Sequence, residues 1–370
     1  MGGVEIVCFA TQGSGSSDEI RIAELLKELE PRVLSFDRSA KRSTGAGLLR
    51  EIRRLRPALV VMEGTGLTGG LVVIVARLIN GVPYVVSSGD AVGPFIKMHH
   101  PRVSLFAHAY ERLLWRLSAG CIAWSPYLAG RALTLGAPLA MTAANWAPPH
   151  VSRANREEVR AKLGIPSDAI VFGIAGSLVW NDRVGYCYGH ELVRAILQTD
   201  RRDLRVLIVG DGTGHPELTR LAGNDLGQRV ILVGRVARQD VDAHLCAMDV
   251  ASLPQSVDQV GAFRYTAKLS EYLAAGLPIV TGQIPLAYDL DDGWLWRLPG
   301  VSPWDQWYVD ALSDLMTTID RTLIEARAAL VPRESPTFSK ERQQRQVAEF
   351  IRDIIRNDLA RTRAQQQRTR

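Results

Sequence analysis

The sequence predicts an α/β protein of two domains, each a parallel sheet covered by helices. Short apolar runs suited to buried strands alternate with helical patterns along the chain, which is typical of such sheets. The chain has 370 residues, which is long for a single hydrophobic core. Hydrophobic residues make up 46% of it and charged residues 22%, which indicates a globular rather than a disordered protein.

Cysteine spacing and hydropathy exclude several classes of protein. Cys8, Cys121, Cys187 and Cys246 show no Cys-x-x-Cys spacing, so neither a disulfide framework nor a zinc site is expected. This pattern favours a reducing, cytoplasmic compartment. No segment has 18 uninterrupted apolar residues and the N-terminus lacks a secretory pattern, so we expect neither a membrane span nor a signal peptide.

The first domain, residues 1–148, is predicted to alternate five strands with five helices. Apolar runs predict the strands at 4–10, 32–36, 58–62, 83–87 and 121–125. Apolar stripes at helical spacing predict the helices at 18–29, 45–56, 71–79, 103–117 and 127–135. The segment 146–150, Trp-Ala-Pro-Pro-His, is rigid and turn-rich and predicts the linker to the next domain.

The second domain, residues 149–335, is predicted to repeat this alternation. Its strands are expected at 170–175, 204–209, 230–233, 249–253 and 277–280. Its longer helices are expected at 153–163, 190–198, 217–222, 239–248 and 309–330. After a proline-rich break, a last helix at about 340–360 and a basic tail complete the chain within residues 336–370.

Loops of the first domain contain candidate binding residues. Gly13 and Gly15 lie between a strand and a helix N-terminus, which is either an anion site or a permissive turn. Asp90 follows the strand at 83–87, where ligands bind in such sheets, although turns also favour aspartate. His99 and His100 lie in a loop without another ligand at metal-binding spacing, so no metal site is expected.

Residues 265–282 predict a short helix, a tight stop and a buried strand. Thr266 is suited to cap the helix, and Gly276 to end it in the left-handed conformation. Lys268 and Glu271 are three residues apart, so their side chains are neighbours. They form either a solvated ion pair or a ligand site, because two charges on a short apolar helix are costly unless they bind something.

This segment resembles the donor-site helix of GT-B glycosyltransferases, family 4 in particular. In that family a Lys-Leu-x-Glu-Tyr-x-Ala-x-Gly-x-Pro-Val-Val pattern ends the nucleotide-sugar pocket, and residues 268–280 match it. Gly-rich turns in the same order extend the resemblance over about 170–282. The resemblance implies two Rossmann-like domains facing a cleft, with a C-terminal helix that crosses back to the first domain.

The resemblance also implies roles for single residues. Glu271 is implied to accept hydrogen bonds from the ribose of a nucleotide diphosphate sugar. Arg183 and Lys268 are implied to hold the leaving diphosphate, with Arg264 as a further cation. Asp90, chosen for its position after a strand and not from the resemblance, is the further candidate for a catalytic residue. The Gly13–Gly15 loop is implied to face the same cleft. The loops around the donor are implied to contain Gly176, Gly210, Gly212, Arg235 and Val236.

Two positions depart from the family pattern. Ser177 stands where the family often has an arginine after the glycine of the phosphate loop. Eight residues before Glu271, where family 4 usually has a glutamate under the donor sugar, stands Phe263. Asp258, or its neighbour Gln259, is the candidate to contact the sugar instead. The missing glutamate keeps two alternatives open: a nucleotide-sugar epimerase of GT-B fold, and a catalytically silent nucleotide-sugar-binding subunit.

The main hypothesis is a glycosyltransferase of polysaccharide biosynthesis. It would transfer a sugar from a nucleotide diphosphate sugar to a glycan or lipid-linked acceptor, with retention and without a metal or cofactor. Residues 38–56 have a net charge of +6 and residues 351–370 a net charge of +4. These blocks have two interpretations: they dock the protein on an anionic membrane surface, or they are ordinary solvated surface of the protein. We expect a cytoplasmic protein, peripheral at the inner membrane face if these blocks dock there, with no nucleic-acid partner.

Overall fold

The chain forms two compact units. The computed structural model describes residues 5–99, 102, 104–146 and 155–368. The first unit comprises Met1–Asn145, Phe263–Tyr265 and Pro336–Arg370, and the second comprises Trp146–Ala262 and Thr266–Ser335. Several sequence-based predictions fall outside the described residues, namely those for Val4, His100, Arg153 and the linker at 147–150.

The first unit is built on a six-stranded parallel sheet. Its strands are β1 (Ile6–Ala10), β2 (Arg32–Val33), β3 (Leu59–Glu63), β4 (Tyr84–Ser88), β5 (Gly120–Ala123) and β6 (Ala140–Thr142). Its helices up to residue 134 are α1 (Ser17–Leu25), α2 (Lys41–Leu55), α3 (Leu67–Asn80), α4 (Val92–His99), α5 (Ser104–Leu117) and α6 (Pro126–Thr134). The strand order is β2-β1-β3-β4-β5-β6, with Val7 of β1 paired to Arg32 of β2 and to Val60 of β3. The order therefore reverses beside β1, where ligands bind in such sheets.

The helical layer of this unit differs in places from the prediction. Helix α3 begins at Leu67 and not at 71, so Gly69 and Gly70 lie inside the helix. Both are needed for close packing, because a methyl at Gly69 would lie 2.5 Å from Thr11 Cγ2 and one at Gly70 1.8 Å from Tyr110 Oη. Helix α4 and strand β6 were not predicted, and His99 ends α4 instead of lying in a loop.

The second unit contains a second six-stranded parallel sheet. Its strands are β7 (Ile170–Ala175), β8 (Leu204–Val209), β9 (Val230–Gly234), β10 (Val250–Leu253), β11 (Ile279–Gly282) and β12 (Leu295–Leu298). Its helices are α7 (Arg156–Lys162), α8 (His190–Leu197), α9 (His215–Ala222), α10 (Val241–Cys246), α11 (Ala267–Ala274), α12 (Leu286–Asp289), α13 (Gln306–Thr318) and α14 (Arg321–Leu330). The strand order β12-β11-β10-β7-β8-β9 is that of a dinucleotide-binding sheet, and it reverses between β7 and β10.

The C-terminal part of this unit also corrects the prediction. The single helix predicted at 309–330 is two helices, α13 and α14, because the Asp320 side chain accepts a hydrogen bond from the Leu323 amide (2.8 Å) and caps a new start. The Trp-rich segment before them contains the unpredicted β12, which pairs in parallel with β11 through Trp296 and Val280.

The last helix, α15 (Lys340–Arg368), belongs to the first unit. The Lys340 ammonium lies 2.8 Å from the Glu24 carboxylate of α1, and Gln344 Nε2 donates to the Glu24 carbonyl oxygen. Further along, Asp358 lies 3.6 Å from the guanidinium of Arg77 on α3. The predicted return of the final helix to the first domain is therefore confirmed. Of the helices described, none is long and apolar enough to cross a membrane.

A buried carboxylate fixes the loop between β7 and α8. Glu191, in the first turn of α8, is fully buried. It accepts hydrogen bonds from Tyr186 Oη (2.9 Å), the Gly189 amide (3.1 Å) and Ser252 Oγ of β10 (2.9 Å). Burial raises its pKa from 4.5 to about 7, against the opposing effect of these hydrogen bonds. The end of the loop is thus tied to the neighbouring strand through one side chain.

The raised pKa of Glu191 makes the stability of the second unit pH-dependent. A carboxyl group with a higher pKa in the folded state contributes stability that is complete below its unfolded pKa of 4.5 and is lost as pH rises to about 7. Glu191→Gln resembles the protonated acid and does not titrate. We expect wild type to lose up to about 3 kcal/mol relative to this variant between pH 4.5 and 7, measured by denaturant unfolding. Glu217→Gln, on the surface of α9, is the control and should show no such difference.

Candidate functional site

A cavity of about 840 Å³ lies at the carboxyl edge of the second sheet. It is formed by the loops after β7, β8 and β9 and by the start of α11, at the side where such sheets bind ligands. Its lining contains three cations and three carboxylates, namely Arg235, Arg238, Lys268, Asp211, Asp242 and Glu271.

Lys268 fills the space in front of the first of these loops. Its ammonium lies over the ring of Tyr188, 4.1 Å from the ring centroid. A methyl group at Gly176 would lie 2.6 Å from Lys268 Cε and 2.8 Å from Nζ. Gly176 is therefore required for the lysine to reach this position, which places the cation directly beside the backbone that leaves β7.

Gly210 and Gly212 are required for packing between loops. A methyl group at Gly210 would lie 1.8 Å from the Gly176 carbonyl oxygen, and one at Gly212 2.6 Å from the Leu178 carbonyl oxygen. Both glycines also have positive φ, +138° and +157°. Hydrogen bonds from Gly176 N to Val209 O (2.9 Å) and from Leu178 N to Asp211 O (3.1 Å) join the same two loops. The cavity wall is thus made rigid by backbone contacts.

Glu271 presents a half-buried carboxylate to the cavity. Burial raises its pKa, Lys268 and Arg238 oppose the shift, and Asp242 adds to it. Among the described residues no hydrogen-bond donor and no cation within 4.0 Å partners this carboxylate. A partly desolvated carboxylate without an internal partner gains most from donors that a ligand brings.

Helix α11 begins at the predicted position, but the predicted side-chain cap by Thr266 does not form. Thr266 occupies the N-cap position with extended backbone, yet its buried hydroxyl makes no hydrogen bond to the first turn. The amides of the first turn therefore lack a side-chain cap, and Ala267 and Lys268 of that turn line the cavity. Gly276 follows the helix with φ +65°, as predicted for the stop.

The structure brings together seven of the predicted site residues and leaves others apart. The seven that line the cavity are Gly176, Gly210, Gly212, Arg235, Val236, Lys268 and Glu271. Arg183 does not line it: it lies exposed in a turn closed by the Asn181–Tyr186 pairing, with its amide bonded to Asn181 Oδ1. Asp258 also lies outside, and its carboxylate accepts from Ser256 Oγ and the Val260 and Gly261 amides. The predicted ligand contacts of Arg183 and Asp258 stay predictions.

Two further predicted site residues meet in the first unit. The Arg264 guanidinium donates to the Asp90 carboxylate, and both side chains are about one-quarter exposed. Ser88 Oγ in turn accepts from the Asp90 amide and fixes the turn after β4. Asp90 therefore has a structural partner, and Arg264 is not among the residues that line the cavity of the second unit.

The Gly13–Gly15 loop is occupied by the chain's own acidic residues. Both glycines have positive φ, +105° and +77°. The Gly15 amide donates to Glu19 Oε2 (2.6 Å), while Ser16 Oγ accepts from the Glu19 amide. This reciprocal capping neutralises the start of α1, with Asp18 in the same turn. The geometry explains the glycines as turn residues, and their predicted role in ligand binding stays a prediction.

Three residues around the cavity were not predicted from the sequence. Tyr188 lies under the Lys268 ammonium, and Arg238 and Asp242 act on the pKa of Glu271. The sequence has one signal for Arg238: it stands three residues after Arg235 in a Gly-Arg-Val-Ala-Arg run, in a 3₁₀ turn after β9. Tyr188 and Asp242 have no such signal, because they are placed only by the fold.

The first unit contains a smaller cavity of about 130 Å³ at the carboxyl ends of β1 and β3. Its lining includes the apolar side chains of Phe36, Leu67 and Phe95 and the basic side chains of Arg38 and Lys41. No acidic residue lines it. This cavity is suited to an amphipathic or anionic group.

Comparisons with known proteins relate one segment of the chain to a family and the whole chain to a fold. Residues 169–301 match the family model described as glycosyl transferases group 1. HepE (Alr3699) of Anabaena in complex with UDP and glucose has a TM-score of 0.70 and 19% identity, over 94% of this chain and 100% of that chain. Sucrose-phosphate synthase of Thermosynechococcus elongatus has a TM-score of 0.69 and 14% identity, over 95% of this chain and 100% of that chain. A Rickettsia africae glycosyltransferase has a TM-score of 0.66 and 13% identity, over 95% and 99%. No curated protein matches the chain.

The matched segment contains every residue that lines the 840 Å³ cavity. The two parallel sheets of six strands and the similar solved structures confirm the predicted α/β fold of the GT-B type. The alternatives of an epimerase and of a silent binding subunit are not supported by these comparisons. Residues 169–301 therefore resemble glycosyl transferases group 1, and the chain as a whole has the GT-B fold.

Proposed function

We propose that the second unit binds a UDP-sugar in the 840 Å³ cavity and that the enzyme transfers its sugar to a glycan or lipid-linked acceptor. The observation that carries the proposal is Glu271, a half-buried carboxylate that faces the cavity and has no hydrogen-bond donor among the residues the structure describes. A fixed carboxylate accepts two hydroxyl donors at once, as the ribose of a nucleotide offers. The similar HepE structures contain UDP and UDP-glucose, which supports uridine as the nucleoside of the donor.

The phosphates of the donor are proposed to lie between Lys268 and the loop that begins at Gly176. The Lys268 ammonium is fixed there by the ring of Tyr188, and Arg235 and Arg238 line the same cavity. Preorganised cations stabilise the charge that develops on the leaving diphosphate. We propose on this basis, and on the family resemblance, that transfer proceeds with retention and without a metal ion or cofactor.

The acceptor is proposed to bind to the first unit. The cavity of about 130 Å³ in that unit combines apolar side chains with Arg38 and Lys41. A lipid-linked glycan offers both an apolar portion and phosphate groups, which such a lining can bind. We further propose a role in polysaccharide biosynthesis at an anionic membrane surface, to which the basic segments 38–56 and 351–370 contribute.

The role of Glu271 is tested by Glu271→Gln. The variant keeps the shape of the side chain but loses a charged acceptor, which should weaken UDP binding by about 1.5–3 kcal/mol, or roughly 10- to 150-fold. Calorimetric titration with UDP measures the change. Glu217→Gln is the matched control, since Glu217 lies on α9 outside the cavity and should leave the affinity unchanged. If Glu271→Gln binds UDP as tightly as wild type, Glu271 has no role in binding the nucleotide, and Lys268 and Glu271 are ordinary surface charges.

The role of Lys268 is tested by Lys268→Ala. Loss of a preorganised cation beside the leaving group should slow sugar transfer roughly 10²-fold. Uridine, which lacks phosphates, should bind the variant nearly as well as wild type, whereas UDP should bind less tightly. The measurements are transfer kinetics and titrations with both ligands.

Arg183→Ala is the comparison for this test, because Arg183 lies outside the cavity. We expect it to slow transfer by less than about tenfold. A loss as large as that of Lys268→Ala would support the phosphate contact that the sequence predicted for Arg183. Equal losses of uridine and UDP affinity in Lys268→Ala would contradict the phosphate assignment.

A further inference from the structure

The outward face of α3 and α5 exposes large apolar side chains. Six of them define what we call the α3–α5 face: Leu71, Leu78, Ile79, Leu105, Phe106 and Leu113. Leu78 and Ile79 are 65% and 73% exposed, and Leu105 and Phe106 are 83% and 67% exposed. Single exposed apolar residues are common, but several on adjoining helices of one unit usually mark an interaction surface.

The two helices share one side of the first sheet. Helix α3 joins β3 to β4, and α5 lies in the connection from β4 to β5. Parallel neighbours are joined by right-handed crossovers, so both helices cover the same side of the sheet. They also pack on each other, with Tyr110 of α5 against Gly70 of α3. The opposite sides of both helices, with Val73 and Leu114, pack in the hydrophobic core. The exposed apolar residues are therefore not part of that core.

The unpaired charge that residues 64–146 contribute beside this face is cationic, and Asp358 of α15 lies 3.6 Å from Arg77 of α3. Between residues 64 and 146 the only acidic residues are Asp90 and Glu111. Asp90 pairs with Arg264, and Glu111 is fully buried and pairs with Arg131 (2.6 Å). The exposed charged side chains of α4 and α5 are cations, namely Lys97, Arg112 and Arg116. On α5, Arg112 and Arg116 follow Leu105 at seven and eleven residues, so they continue the line of Leu105 along the helix, beside Leu113.

Helix α2 extends the cationic rim. It packs on α3, where Gly45 of α2 lies against Thr68 and Val72. Arg50 and Arg53 of α2 are exposed, and its one acidic residue, Glu51, is paired with Arg54. The ends of α2, α3 and α15 meet around a hollow of about 470 Å³ lined by Arg53, Arg56, Ile79, Ile355 and Asp358. The two basic segments noted in the sequence therefore approach each other at the end of α3.

We propose that the α3–α5 face docks the enzyme on an anionic lipid surface, with its apolar side chains inserted and its cations at the headgroups. This inference rests on the proposed function, which gives the enzyme a reason to bind a membrane, and it names the surface that binds. Apolar residues beside cations match the chemistry of an anionic leaflet. A second copy of the chain fits less well, because a two-fold interface would bring the cationic rim against itself.

The test is sedimentation of the full chain with phosphatidylcholine vesicles, with and without phosphatidylserine, at low and high salt. We expect binding only to the anionic vesicles and reversal by salt. The double variant Leu105→Ser/Phe106→Ser should lower the partition coefficient at least about tenfold. Arg112→Glu/Arg116→Glu should lower it similarly. Ile20→Ser on α1 is the matched control, since Ile20 is 61% exposed in the same unit and should change nothing.

Titration with UDP separates this inference from the proposed function. The surface variants should bind UDP as wild type does, which also shows that they are folded. The inference is overturned if wild type fails to bind anionic vesicles at low salt, or binds neutral ones equally well. It is also overturned if truncation after Ala360 abolishes binding while the α3–α5 variants retain it. Concentration-dependent self-association that the double variant removes would assign the face to a second copy instead.

Discussion

The contact between the Lys268 side chain and the backbone of Gly176 is the constraint on which the cavity of the second unit depends. The lysine comes from α11 and the glycine from the end of β7, so the contact joins two elements far apart in the chain. It is possible only because Gly176 lacks a side chain, and Gly176 is held in turn by its carbonyl contact with Gly210. A cation fixed this way would lose little further freedom on binding a phosphate, which is what the role proposed for Lys268 requires.

The carboxylates of the second unit show how burial assigns different tasks to the same chemical group. Glu191 is fully buried, and three donors from its own unit satisfy it. Glu271 is only half buried and has no donor from the described chain. Glu191 is therefore part of the scaffold. Its hydrogen bonds to Tyr186 and Gly189 fix the segment that contains Tyr188, below Lys268. Glu271 is left for a ligand, although burial raises the pKa of both.

Much of the fold and part of the site could be predicted from the sequence, and the misses have physical causes. Strands β7 and β8 have the predicted bounds because apolar residues dominate both, with Arg205 the one charged residue, and a glycine follows each. Strands β6 and β12 have three and four residues and are partly exposed, so no run or alternation marks them. Lys268 and Glu271 were found because a local pattern contains both. Tyr188 and Asp242 were not, because only tertiary structure brings them to the cavity.

The segment Phe263–Tyr265, where the family pattern predicts a glutamate at position 263, packs within the first unit. These three residues belong to the first unit, although the residues on both sides belong to the second. The Phe263 carbonyl accepts from Ser125 Oγ (2.6 Å), and its ring packs on the core of the first unit. Arg264 pairs with Asp90, and Tyr265 packs against Tyr127 at 5.9 Å between ring centroids. The Arg131 guanidinium also lies over the Phe263 ring, 5.9 Å from its centroid. The side chain at 263 therefore packs within the first unit, and under the proposed function the donor sugar is bound by other groups.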